Sequence, residues 1–181
     1  MLRVTVVVAV VVVLALLLRP KFRAWGEGRA RAAEAAAALR DAVLSRRMLA
    51  SLPAKESGAL RGAAMDWNVG AGLATLVAID DGTVSLYLNP GGGTIGAGTH
   101  ANVARAGAAF REEAAKARGA FSPVQTYPAP GADSVVFYLL TESATLATAP
   151  IRMQELQRAE HPLAGLGTAA QALLTEVRRA R

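Results

Sequence analysis

The chain has 181 residues and no cysteine, which excludes disulfides and thiolate metal sites. Its residues are 52% apolar but only 5% aromatic, so a core would be built from alanine, valine and leucine. The net charge of +6 divides unevenly: residues 1–31 hold six Lys/Arg and one acid (+5), and residues 32–181 hold fourteen Lys/Arg and thirteen acids (+1). The body therefore has no basic excess for a phosphate-binding surface, and nucleic acid is not an expected partner.

In chain order, Val4–Leu18 is an uncharged apolar run of 15 residues. As a helix it would rise roughly 22 Å, short of the ~20 residues of an ordinary span. It reads as a short signal anchor in contact with a lipid bilayer, with Val4, Val8, Val12 and Leu16 in the apolar run. Arg19, Lys21 and Arg23 form its basic flank, followed by Phe22 and Trp25 as interfacial aromatics. A cleaved signal peptide and a buried strand are the alternatives. The charge asymmetry predicts a single-pass membrane protein with its C-terminal domain in the cytoplasm, a periplasmic domain being the alternative.

Arg29–Ala50 is rich in helix formers, with Ala32, Ala36, Leu39 and Val43 at helical spacing. The expectation is a helix lying against its own domain, with a dimerising stalk as the alternative. Ser51-Leu52-Pro53 is expected to open a second helix, capped by Ser51 and presenting Leu60, Ala63 and Ala64. Trp67 follows as a core or domain-edge residue, or alternatively a ligand platform.

Leu73–Ile79 and Thr83–Leu88 are β-rich, and Asp81-Gly82 between them predicts an antiparallel hairpin with a type I′ turn. Asn89–Gly98 then places Gly91, Gly93 and Gly96 in GxGxxG spacing. Such a loop can present backbone amides to a phosphate at a helix N-terminus. Against that, the preceding strand closes a hairpin, and Glu112 and Glu113 fall within a helix rather than at a strand end. A flexible or closely packed connection is the expectation. A ligand loop of Gly91, Gly93, Gly96 and Thr99 is the alternative, and no cofactor is assigned.

Thr99 is expected to cap a helix over His100–Ala117, with Val103, Ala106, Ala109/Phe110 and Ala114 inward. Short strands are expected at Val124–Tyr127 and Ala144–Thr148, and a central one at Ser134–Thr141. After a brief helical or irregular passage at Met153–Ala159, Pro162 opens a last helix with Leu163, Leu166, Ala170, Leu173 and Val177 on one face.

From Pro53 onward this order, α-ββ-α-βββ-α, resembles the roadblock/LC7 family, relatives of the profilin- and longin-like folds. The resemblance is carried by a helix running into WNVGAGLATLVAIDDGTVSLYL, the helix ANVARAGAAF and the VVFYLLTESATLATA hairpin. It implies an α+β domain with an antiparallel five-stranded sheet, frequent self-association, and an adaptor or regulator role toward small GTPases. It implies no catalytic residues. The domain organisation expected is an anchor and flank at 1–23, a connecting helix at 24–52 and a roadblock-like α+β domain at 53–181.

The sequence contains no HExxH, no Gly-x-Ser-x-Gly elbow and no metal-ligand cluster, and its histidines, His100 and His161, lie far apart. No catalytic or metal residues are assigned. The expected function is a non-enzymatic, membrane-anchored interaction or adaptor module, a GTPase regulator or a subunit of a membrane complex. Its partner would be a second copy, a small GTPase or another subunit. A nucleotide or ligand sensor using residues 89–100 and a structural subunit of a membrane assembly are the alternatives.

Overall fold

The structure is a computed structural model and describes residues 28–180. It is an α+β fold built on one antiparallel sheet with helices on both faces. The first helix, α1, spans residues 28–44. Four strands follow: β1 (Leu60–Asn68), β2 (Leu73–Ile79), β3 (Val84–Asn89) and β4 (Gly93–Thr94). Helix α2 (Ala101–Lys116) leads to β5 (Ser122–Pro123), β6 (Ser134–Thr141), β7 (Thr145–Ala147) and β8 (Ile151–Arg152). The short α3 (Met153–Leu156) and the long α4 (Ala164–Arg179) complete it. The sheet has eight strands in the order β4-β3-β2-β1-β6-β7-β5, with β8 also paired to β6.

The largest departure from expectation is at β1. The segment read as a second helix is the strand between β2 and β6, with Met65 facing Leu76 on one side and Phe137 on the other. Its residues alternate between two cores: Ala63 and Met65 join the core under α2 and α4, while Ala64 joins the core under α1. A strand buried on both faces shows no apolar–polar alternation, so Ala and Met read as helix formers. This changes the element order, since three full strands precede α2. The five-strand count becomes eight, because β1 and the two-residue ladders β4 and β8 add to the five expected. Strand β5 lies at Ser122–Pro123, upstream of the expected Val124–Tyr127.

The β2–β3 hairpin forms in the expected place with a different turn. Ile79 accepts from the Gly82 amide at 3.1 Å and donates to the Thr83 carbonyl at 2.8 Å. Gly82 has φ +91°, whereas Asp81 stays out of the positive-φ region. This is a three-residue loop with a glycine bulge, which needs one left-handed residue where type I′ needs two.

The layer of α2 and α4 follows the expected periodicity closely. Leu163, Leu166, Ala170, Leu173 and Val177 are all buried. On α2, Val103, Phe110 and Ala114 face the core and Ala106 packs against it partly buried, while Gly107 is also buried and Ala109 is exposed. Phe110 packs on Phe137 of β6 with ring centroids 6.4 Å apart.

The other face is covered by α1, through Ala36, Val43 and Leu44. Beneath α1, Asp66 of β1 is fully buried. It accepts two bonds from Arg40, at 2.8 Å (Nε) and 2.6 Å, and one from the Thr75 hydroxyl at 2.6 Å. Arg40 also donates to the Tyr127 carbonyl at 2.7 Å, and the Thr145 hydroxyl donates to the Leu44 carbonyl at the end of α1, at 2.7 Å. A second cluster holds the buried Arg61 against Asp80 and Glu142, with Lys55 also on Asp80.

Burial alone would push the Asp80 carboxyl up, but Lys55 and Arg61 outweigh it and hold it below its ordinary range. A folded pKa below the unfolded value of about 3.9 gives stability that is present above that value and lost as pH falls through the folded one. Asp80→Asn is therefore expected to flatten the acid side of the stability profile below about pH 5. Urea unfolding of both proteins across that range checks it; parallel acid limbs would contradict the assignment.

Among the described residues, no helix is long and apolar enough to cross a membrane. That corrects the expectation of a single-pass, membrane-located protein, which is not carried forward. Val4, Val8, Val12, Leu16, Arg19, Lys21 and Arg23, on which it was placed, lie outside the described residues.

Candidate functional site

The glycine-rich stretch does not form a cradle. After the cis Asn89–Pro90 peptide the chain turns through Gly91 and Gly92 and pairs back on β3, Tyr87 facing Gly93 and Leu86 facing Thr94. Two of its three motif glycines have amides with partners within the chain. Gly91 donates to the Leu88 carbonyl at 2.6 Å, and Gly96 donates to the Ser85 hydroxyl at 3.4 Å. Thr99 donates from both its amide and its hydroxyl to the Gly96 carbonyl. It does not cap α2; His100 occupies the N-cap without a side-chain capping bond. The GxGxxG spacing thus serves a β-ribbon and a turn into α2.

The other residues singled out by sequence are dispersed. Glu112 and Glu113 are paired with Lys116 on the outer side of α2. His100 is exposed, while His161 accepts the Leu163 amide through Nδ1 at 3.1 Å and so helps form the approach to α4. Trp67 is half-buried against the α2/α4 core. No group of three or more acids and histidines able to hold a metal occurs among the described residues.

The structure brings together something else at the glycine end of the sheet. The β1–β2 turn, the β3–β4 turn and the first turn of α1 enclose an open cleft of about 730 Å³. Val69, Ala71 and Leu73 line one side, Leu88 and Pro90 another, and Ala32 of α1 a third. The approach of α1 to the β3–β4 turn is close: a Cβ on Gly91 would lie 2.8 Å from that of Ala32. Arg29 is the one charged residue in the lining among those described. Val69 is 43% exposed, and with Ile95 it is one of two large apolar residues left open to solvent among those described.

A second hollow, of about 610 Å³, lies between the end of α1 and the Val124–Tyr127 segment. It is polar, but its arginines are engaged: Arg40 on Asp66, and Arg46 on the Glu142 carbonyl at 2.6 Å. The apolar cleft is the better candidate, because a binding site is ordinarily a concave, mostly apolar surface with few polar groups.

Sequence reasoning missed this cleft because three segments far apart in the chain form it. The only signal available was the pairing of small and apolar residues, Val69 and Ala71, with the glycines of a turn. Compared with known proteins, the chain matches no family model, no curated protein and no solved structure, so the functional reading rests on the geometry of this site.

Proposed function

We propose that this chain is a non-enzymatic interaction module that takes an apolar segment of a partner protein into the cleft between the β1–β2 and β3–β4 turns. The observation that carries this reading is the cleft itself, with Val69 open to solvent at its rim. An apolar surface of this kind, held by the ends of paired strands, is ready to bind without rearrangement. Among the described residues, the lining has no acid or histidine to do acid–base chemistry. The resemblance to roadblock/LC7 proteins points in the same direction, since it implies an adaptor whose partner is a second copy or a small GTPase.

A photo-reactive benzoylphenylalanine at position 71 tests the proposal in the cells that make the protein. Irradiation is expected to give a discrete adduct with another protein chain, weakened severalfold by Val69→Asp. The same probe at position 108, exposed on α2 across the sheet, should give none. A probe at position 71 that captures no other chain would defeat the proposal.

A further inference from the structure

We infer that the partner segment carries a tyrosine, whose ring enters a smaller hollow beneath α1 and whose hydroxyl is read by Thr75 and Tyr87. This deepens the reading of the cleft as a site for an apolar segment of a partner protein, and it rests on that reading. The hollow has a volume of about 190 Å³. Its floor is two neighbouring cross-strand pairs of the β2–β3 ladder, Leu73 with Asn89 and Thr75 with Tyr87. Its roof is α1, through Ala36 and Arg40. Leu73 and Asn89 also line the apolar cleft, and Ala32 in the cleft wall is about one helical turn from Ala36. Cleft and hollow are therefore successive stretches along the sheet-facing side of α1. A chain seated in the first has the second within reach of one side chain.

The hollow differs from the cleft in chemistry. Thr75 and Tyr87, 2% and 5% exposed, bring two hydroxyls to the face that α1 covers. The Thr75 hydroxyl gives its one proton to Asp66 at 2.6 Å, so toward anything in the hollow it can only accept. Burial pushes the Tyr87 hydroxyl up, against an opposing effect of Ser85, so it keeps its proton and can donate. A ligand hydroxyl both donates and accepts, and it uses the two groups together; a carbonyl or an ammonium uses only one of them. Charge selects in the same direction. Arg40 is the one charged residue in the lining among those described, and its charge is matched by Asp66. An acidic side chain entering the hollow finds no unmatched cation, and a basic one meets the guanidinium. The walls are small at Ala36 and Ala129, which leaves width for a flat ring. A phenol meets all of these conditions, whereas serine and threonine lack the apolar body.

The test titrates the full chain, isotope-labelled at its alanine methyl groups, with two probes. One is p-cresol, the tyrosine side chain as a free molecule; the other is toluene, which lacks the hydroxyl. p-Cresol is expected to shift the Ala36 and Ala129 methyl resonances and to bind about tenfold more tightly than toluene, the worth of one or two net hydrogen bonds. Tyr87→Phe and Thr75→Val should each remove most of that preference by weakening p-cresol alone. Tyr87→Phe takes no hydrogen-bond partner from Asp66, so its effect is separable from a loss of stability. Equal binding of the two probes overturns the inference. So do p-cresol shifts confined to methyl groups away from the hollow, and so does a preference that survives Tyr87→Phe. The two readings fail separately. Equal probe binding alongside cross-linking at position 71 removes only the inference. A p-cresol preference with no adduct at position 71 removes only the proposed function.

Discussion

Arg40→Met is expected to lower stability by about 3–5 kcal/mol, the cost of breaking a buried ion pair from one side. Asp66 is wholly inaccessible, and the Arg40 side chain is 16% exposed. With the guanidinium gone, the carboxylate keeps the Thr75 hydroxyl as a partner but has no compensating charge. The surroundings offer little relief. Burial pushes the Tyr138 hydroxyl up, and the negative charge of Asp66 pushes it further, so the phenol stays neutral. Burial alone would weaken the proton affinity of Arg40, yet Asp66 more than offsets it, so the guanidinium stays charged. Adding Asp66→Asn should recover most of the loss, because an amide needs hydrogen bonds but no counter-charge. Urea unfolding of the two single variants and the double variant measures the coupling. A loss below about 1 kcal/mol for Arg40→Met, the range of an exposed pair, would show that this contact does not hold α1 to the sheet.

The same pair shows where the sequence was readable and where it was not. Arg40 and Asp66 are 26 residues apart, and nothing local couples them. Helices α1, α2 and α4 were legible because each buries one face at helical spacing. Strand β6 and the β2–β3 hairpin were legible because β-branched residues and Asp81-Gly82 agree with the tertiary result. Strand β1 was not, because LRGAAMDWN has no β-branched residue and is buried on both sides. Sheet position imposed its conformation against local propensity. The two-residue ladders β4, β5 and β8 carry no pattern long enough to read. At the candidate site the glycine spacing was visible, but its role was set by which strand the loop met. The cleft joins residues 28–32, 69–74 and 88–92, so it exists only once the sheet has assembled.

Gly93→Val separates a ribbon from a ligand loop. Gly93 has φ +135°, and a Cβ there would lie 2.1 Å from the Leu86 carbonyl oxygen. That oxygen belongs to β3, which is hydrogen-bonded to β2 along its length, so it cannot swing away as a side chain would. Strain at the disallowed φ and the collision together should cost about 2–4 kcal/mol, and the relief is detachment of β4. Gly92→Ala is the matched control: its φ is +96° but its Cβ would meet open space. It should cost about 1–2 kcal/mol, from backbone strain alone. Hydrogen exchange reads the difference directly, since Gly93→Val should expose the amides of residues 86–94 and leave those of β1 and β6 protected. A phosphate-binding loop would behave otherwise: the substitution would abolish ligand binding while the ligand-free protein kept its stability and protection. Because the Gly91 and Gly96 amides already donate within the chain, the expected loss appears with no ligand present. Unchanged stability of Gly93→Val would mean that the β3–β4 pairing does not hold this end of the sheet, and with it one wall of the cleft.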